Sequence, residues 1–145
     1  MKVGTHDGVF HCDEVLACVM LTKYTNQFAG AEIVRTRDDK KLEECDIIVD
    51  VGGKHQPPKY FDHHQREFTG THTNFPGVKL SSAGLVYLHF EEIIPNVVKA
   101  ILGQKKLPFQ PVVNSEVEQQ LRNKIYEGFI LSVDANDNGK EICEG

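Results

Sequence analysis

The sequence predicts an α/β domain with a mostly parallel, twisted sheet and helices on both faces. Short β-branched runs alternate with segments of helical periodicity, which is the pattern of parallel strands joined by crossover helices. The 145 residues suffice for one domain with its own core and are too few for two ordinary domains. A composition of 40% hydrophobic and 26% charged residues is typical of a globular protein.

Most of the predicted strands lie in the first half of the chain. The run "DIIVDV" is the clearest, because it is β-branched, nearly all apolar and followed by two glycines. The segment "DEVLACVMLTKY" has apolar residues at helical spacing and acids in its first turn, which predicts a helix over residues 13–24. "DDKKLEEC" predicts one or two further helical turns. We expect strands at residues 2–5, 32–36, 46–51 and 59–62.

The second half is predicted to be mainly helical. Residues 69–79 contain Gly, Thr, Asn and Pro and are expected to form a loop. A long helical pattern begins at Ser81, and Pro95 should kink or end it. Residues 104–113, with two prolines, are expected to be a linker. The "SEVE" capping box then predicts a last helix from residue 115 to about residue 134, with apolar residues recurring every four positions.

Composition also excludes some kinds of protein. The four cysteines form no CxxC pair, which argues against a structural zinc finger, and we interpret them as reduced packing residues. Cys12 stands beside His11 and Asp13, where oxidation is the alternative. No apolar run approaches the roughly 18 residues of a membrane helix and no secretory signal is visible, so we expect an intracellular protein without a membrane partner.

The formal charge of −5 argues against binding nucleic acid through net charge alone. Two divalent cations would add four charges and shift −5 to −1, and bound ions carry a positive field of their own. The charge therefore does not exclude an anionic substrate.

Histidines and aspartates occur at the ends of the predicted elements. Because the carboxyl ends of parallel strands meet at one edge of a sheet, we expect these side chains to converge. Each one alone could be a turn residue or a solvated side chain. Asp50 is the hardest to explain in that way, since a buried carboxylate costs several kcal/mol unless it is paired or ligated. The residues are His6, His11, Asp13, Asp50, Asp62, His63, His64 and Asp134.

These residue types indicate a metal site. Imidazole with carboxylate suits Mn²⁺, Fe²⁺, Zn²⁺ or Co²⁺ better than Ca²⁺. Six or more ligands exceed what one catalytic ion uses, so a pair of ions about 3.5–4 Å apart is implied. Two such ions can activate a water in line with phosphorus and neutralise phosphate oxygens.

A phosphate substrate would also need positive or donor contacts. Arg66 follows the "DHH" segment, and Ser82 opens a helix whose N-terminus can bind phosphate. We expect both residues to contact substrate. The other basic residues near the predicted edge, Arg35, Arg37, Lys54 and Lys59, are better explained as a solvated surface.

The motifs resemble those of the DHH phosphoesterase superfamily: an upstream His…Asp motif, a strand-end Asp, "DHH" after a strand and a later Asp. Over nearly the whole chain, "GTHDGVFHCDEVLACVML", "CDIIVDVGG", "FDHHQREF", "KLSSAGLVYLHF" and "VDANDNG" resemble the melanocyte-proliferating-gene exonuclease family. The resemblance implies a two-domain, metal-dependent 3′-5′ exonuclease acting on RNA and releasing nucleoside 5′-monophosphates, with Mn²⁺ as the expected ion and Mg²⁺, Zn²⁺, Fe²⁺ or Co²⁺ as the alternatives. It implies a nuclear, cytoplasmic or mitochondrial location.

The resemblance also implies residue roles. His6, His11, Asp13, Asp50, His63 and Asp134 match metal-ligand positions, and Asp50 matches the ligand that bridges the two ions. His64 matches a catalytic residue that faces the scissile phosphate. Asp62 is expected to orient a histidine from behind.

Two features depart from the superfamily pattern. His11 stands where an aspartate is usual, with one extra residue of spacing. The family's second, substrate-gripping domain is not found in residues 1–145, which match the N-terminal DHH domain, so we expect this chain alone to be weakly active or inactive on polymeric RNA.

Two other functions fit the same residues. One is a pyrophosphatase or a phosphatase of small nucleotides or short oligonucleotides. The other is a non-catalytic metal-binding scaffold, against which His64 argues, because a pure metal scaffold does not need that residue.

Overall fold

The centre of the molecule is a five-stranded, mostly parallel sheet. The structure is a computed structural model, and it describes residues 1–63, 71–72, 75–104 and 115–137. The strand order is β2-β1-β3-β5-β4, and only β4 runs antiparallel to its neighbour. The strands are β1 (Lys2–Thr5), β2 (Glu32–Arg35), β3 (Ile47–Val49), β4 (His55–Gln56) and β5 (Tyr60–Phe61). A separate antiparallel pair joins β6 (Thr71–His72) to β7 (Phe75–Lys79).

Helices cover both faces of the sheet. They are α1 (Cys12–Tyr24), α2 (Asp39–Glu43), α3 (Ser82–His89), α4 (Ile93–Gln104), α5 (Ser115–Ile125) and α6 (Leu131–Asp137), and a π-helical turn (Tyr126–Ile130) joins the last two. This arrangement confirms the predicted fold class.

Alternation along β3 explains the two layers. Ile47 and Val49 point into the main core, where α1, α3, the π turn and α6 contribute buried side chains. Ile48 points to the other face, where it packs with Leu42 of α2 and with Cys45, which follows this helix. Successive side chains of a strand face opposite sides of the sheet, so a nearly all-apolar strand is buried on both.

The strand predictions need three corrections. β3 covers Ile47–Val49 only, because Asp50 adopts a left-handed backbone conformation with φ 58° and leaves the strand. The predictions missed β4, a two-residue edge strand too short to show alternation. The loop predicted over residues 69–79 contains β6 and β7 among its described residues.

The helix predictions need two corrections. The break in the long helix falls at Phe90, before Pro95, which lies in the first turn of α4. Proline is tolerated there because its missing N–H has no partner in a first turn. The last helix runs to Asp137, and its π turn changes which side chains face inward: Tyr126 and Ile130 are buried, whereas Phe129 is 52% exposed. The predicted linker lies almost entirely outside the described residues.

Helices α3 and α6 meet at a glycine. The carboxylate of Asp134 on α6 accepts hydrogen bonds from the Ser81 N–H at 2.9 Å and the Ser81 hydroxyl at 2.6 Å, at the N-terminus of α3. It also accepts one from the Tyr126 hydroxyl at 2.6 Å. A Cβ on Gly84 would lie 2.6 Å from both oxygens of this carboxylate. Only glycine at this position allows Asp134 to reach the end of α3.

We predict that Gly84→Ala destabilises the fold by about 1–3 kcal/mol, the usual cost of forcing extra volume into a packed site. The measurement is the free energy of unfolding from urea denaturation. Gly103→Ala in α4 is the matched control, because a Cβ there meets nothing within 4 Å. That variant should be unchanged or up to about 1 kcal/mol more stable. Equal effects of the two substitutions would contradict the packing at Gly84.

Candidate metal centre

The candidate site lies where the chain reverses its direction across the sheet. β1 stands between β2 and β3, so the connections leaving β1 and β3 diverge at their carboxyl ends. In open α/β sheets this divergence creates a crevice in which ligands bind. His6 directly follows β1 and Asp50 directly follows β3, and each is at most 3% exposed. The fold thus delivers an imidazole and a carboxylate to one crevice.

Asp50 is the centre of this cluster. Its Oδ2 lies 3.1 Å from His6 Nε2 and 3.8 Å from His11 Nδ1. Its Oδ1 lies 3.8 Å from His63 Nδ1 and accepts a 3.4 Å hydrogen bond from the Ser82 hydroxyl. The two carboxylate oxygens therefore face different sets of side chains.

The described residues contain two groups able to hold a metal ion, and Asp50 belongs to both. The first is His6, His11 and Asp50; the second is Asp13, Asp50 and His63. Within each group one ligand atom per residue lies within 4.8 Å of the others. Two bonds of about 2.1 Å span about 4.2 Å, so small side-chain shifts would close either group on an ion. The donors, imidazole nitrogen and carboxylate oxygen, fit Mn²⁺, Fe²⁺, Zn²⁺ or Co²⁺.

The backbone of Asp50 is held in an uncommon conformation. Its φ of 58° lies in the left-handed region, which costs energy for most residues but which Asp and Asn visit more readily. Its N–H donates to the Phe61 carbonyl at 3.1 Å, which fixes the turn against β5. Unusual backbone conformations of this kind concentrate at functional sites.

The N-terminus of α1 supplies the residues from the "HCDE" segment. His11 is the N-cap and its side chain is 51% exposed, which places it at the mouth of the site, whereas Asp13 is buried. Glu14 is also buried, and its carboxylate accepts the His11 N–H at 3.3 Å and lies 3.6 Å from Arg35. Sequence reasoning missed Glu14, although its position three residues after an N-cap is a known signal for this bond.

Two more predicted residues, Asp62 and Ser82, support or border the cluster. Asp62 accepts the Gly53 N–H at 2.7 Å and so braces the turn that follows β3 and Asp50. The Ser82 hydroxyl lies 3.2 Å from His63 Nδ1 as well as near Asp50, and the residue is fully buried. The structure thus places Ser82 within the site, and its contact with substrate stays a prediction.

Asp134 lies outside both groups. Burial raises the pKa of its carboxyl group, and the hydrogen bonds from Ser81, Tyr126 and Gly84 act in the opposite direction. The structure therefore brings together five of the six predicted ligands, His6, His11, Asp13, Asp50 and His63. The role of Asp134 as a ligand stays a prediction, and so does that of Asp62 behind a histidine. His64 and Arg66 lie outside the described residues.

The fold and the cluster define the class: an α/β domain with a histidine–aspartate centre at the switch point of its sheet. Residues 2–145 match the family model described as "MYG1_exonuc: Uncharacterised protein family (UPF0160)". The chain belongs to this MYG1 family. No solved structure matches it.

Relatives from fungi and mammals share this domain. The MYG1 protein C694.04c of Schizosaccharomyces pombe is 48% identical over 139 residues, covering 96% of this chain and 40% of the relative. The MYG1 exonucleases of Mus musculus and Homo sapiens are 47% and 46% identical over 144 residues, covering 95% of this chain and 35% of each relative. The chain therefore spans well under half the length of these relatives. None of its described helices is long and apolar enough to cross a bilayer.

We predict that Cys12 reacts with a thiol reagent at pH 8 at least about tenfold faster than Cys18. The ratio of the two rates depends on the thiolate fraction and the solvent access of each cysteine. Burial, together with nearby Glu14, raises the pKa of Cys18 to about 12, whereas Cys12 is exposed at the start of α1. This exposure corrects the interpretation of Cys12 as a packing residue. Mass spectrometry of partly modified protein measures the ratio, and Cys12→Ala is the control. Comparable labelling of both thiols would contradict the described burial.

Proposed function

We propose that this chain is the metal-binding domain of a DHH-type phosphodiesterase, a 3′-5′ exonuclease that hydrolyses RNA to nucleoside 5′-monophosphates with two divalent ions, preferably Mn²⁺. The observation that carries the proposal is the division of the Asp50 oxygens between two ligand groups. A single carboxylate shared in this way is what a bridging ligand of two ions requires. The name of the mouse and human relatives, MYG1 exonuclease, agrees with this chemistry.

The surrounding hydrogen bonds prepare these residues for ligation. His6 Nδ1 lies 3.0 Å from the Asp7 carbonyl, a contact that holds the ring with Nε2 directed toward Asp50. Ser82 fixes one oxygen of Asp50 and also the His63 ring. Divalent ions held here would supply the Lewis acidity that activates water at neutral pH and neutralises a phosphodiester.

We assign distinct tasks to the chain's own residues. The buried part of the cluster excludes solvent from one side, while the half-exposed His11 leaves the other side open to an incoming phosphate. Release of a 5′-monophosphate requires water to attack phosphorus and the 3′-oxygen of the remaining strand to leave. We assign the donor to the developing phosphate charge to His64. A pyrophosphatase would use the same centre, so the decisive experiment includes both substrates.

We predict that Asp50→Asn loses at least one of the bound ions without unfolding. Asparagine tolerates the left-handed conformation but lacks the charge that bridges two cations. Mn²⁺ stoichiometry of the 145-residue chain, measured by isothermal titration calorimetry and elemental analysis, tests this. Asp39→Asn, an exposed acid in α2, is the control and should bind like the wild type. Unchanged stoichiometry in Asp50→Asn would remove the basis of the proposal.

Activity should be assayed in the protein that carries this domain at family length, on a short oligoribonucleotide and on pyrophosphate with Mn²⁺. Hydrolysis of the oligoribonucleotide from its 3′ end with release of 5′-monophosphates supports the exonuclease. Hydrolysis of pyrophosphate alone supports the alternative enzyme, and hydrolysis of neither supports a metal-binding scaffold.

We predict separate effects for the two histidines of "DHH". His63→Ala should lose metal and activity together, because His63 belongs to the second ligand group. His64→Ala should keep its metal but lose about 10²–10³-fold in kcat, the usual effect of removing one donor to a developing oxyanion. Metal stoichiometry and kcat are measured for both variants in the same preparation. Metal loss in His64→Ala would show that the assigned role is wrong.

A further inference from the structure

An exposed aromatic side chain stands at the mouth of the candidate centre. Residues 7–10, which we call the mouth loop, connect His6 to His11. Phe10 is 66% exposed although it directly precedes His11, whose ring lies 3.8 Å from Asp50. The His6 and His11 ring centroids are 4.8 Å apart, so the loop leaves and re-enters the same cluster. Phe10 contributes little to the core, because most of the surface of its side chain faces solvent.

Two arginines hold this loop in place: Arg35, the last residue of β2, and Arg37, which follows the strand. The Arg35 guanidinium donates to the Gly8 carbonyl at 3.1 Å, and Arg37 donates to Asp7 at 3.1 Å. Gly8 makes the turn with φ +86°, a conformation that other residues rarely adopt. The mouth loop is thus a braced structure rather than a free connection.

Arg35 also supports the aromatic ring itself. Its guanidinium carbon lies 3.8 Å from the Phe10 ring centroid, which is a close cation–π contact. The buried Glu14, 3.6 Å away, fixes the guanidinium from behind. A chain of contacts therefore runs from Glu14, which lies next to the two candidate ligand groups, through Arg35 to the exposed ring of Phe10.

We propose that Phe10, backed by Arg35, is a stacking platform for the base of the terminal nucleotide whose phosphodiester lies at the Asp50 centre. The inference rests on the proposed function and adds a binding site for the nucleobase. Proteins that hold single strands without regard to sequence stack bases on aromatic side chains beside positive groups. Such a platform accepts every base, since each has a π-face, and an exonuclease that removes successive nucleotides needs that tolerance.

Local charge fits this occupant. The chain as a whole carries −5, but the mouth loop is flanked by Arg35 and Arg37. Arg37 pairs with Asp7 and Arg35 with Glu14, so both acids beside Phe10 are neutralised and do not repel an anionic strand that approaches the ring.

The test is binding of a phosphorothioate-linked trinucleotide that ends in 2-aminopurine, whose fluorescence falls when the base stacks. The protein is the one that carries this domain at family length, with Mn²⁺ present. Wild type should quench the fluorescence. Phe10→Ala should lose the quench and raise Kd about tenfold, within the range found for base–aromatic stacking. Phe10→Trp should restore both. Val9→Ala, at a 78% exposed neighbour, is the matched control and should behave as wild type.

Kinetics separate stacking from a structural effect. On an oligoribonucleotide with its terminal base intact, Phe10→Ala should raise KM about tenfold and leave kcat near that of wild type. On the same oligonucleotide with an abasic terminal residue, the two proteins should have the same KM. The melting temperature of Phe10→Ala should stay unchanged, because the side chain is mostly exposed.

The outcomes distinguish failure of the stacking platform from failure of the proposed function. If wild type cleaves RNA but Phe10→Ala still quenches, or loses equally on the abasic substrate, the platform is wrong and the exonuclease proposal stands. If wild type binds metal but neither binds nor cleaves oligonucleotides, the proposed function and the platform fail together.

Discussion

The short contact between the Asp50 carboxylate and the His6 imidazole, 3.1 Å apart and almost wholly buried, is the interaction on which the rest of the molecule depends. A carboxylate in this position is destabilising unless a proton or a cation neutralises it. The pairing of β1 with β3 brings His6 and Asp50 together. The same pairing that builds the core therefore also buries a carboxylate. A metal ion held here would neutralise the carboxylate, and both groups offer donor atoms that could ligate it.

A second set of hydrogen bonds orients Asp50 and His63. Asp134 satisfies the N-terminus of α3 from a distant part of the chain, and the adjacent Ser82 then meets Asp50 and His63. Gly84 allows the approach because it has no Cβ. The N-terminus of α3 is thereby tied to the last helix through Ser81 and to the cluster through Ser82. Disturbance of the helix contact is therefore expected to reach the candidate ligands through Ser82.

Sequence patterns predicted the layers well, because long elements carry clear periodicity: "DIIVDV" and the helix over residues 13–24 are both present. Five of the six candidate ligands converge, because parallel strands must end at one edge. Short elements escaped prediction. β4 has two residues, and β6 and β7 lie in a segment rich in turn formers, where pairing decides structure more than propensity does. The contacts of Asp134 depend on long-range packing that no local spacing reveals. The bond of Glu14 to the His11 N–H, in contrast, follows the local spacing of a capping box.

The left-handed backbone at Asp50 has a consequence for how this domain can change over time. The position restricts both the backbone and the side chain: φ of 58° favours Gly, Asn, Asp and His, and of these only Asp carries a carboxylate. Glutamate, which elsewhere exchanges with aspartate as a ligand, would strain the turn between β3 and the following glycines. Most substitutions at Asp50 therefore remove the carboxylate shared by the two candidate ligand groups instead of exchanging it for a longer acidic side chain.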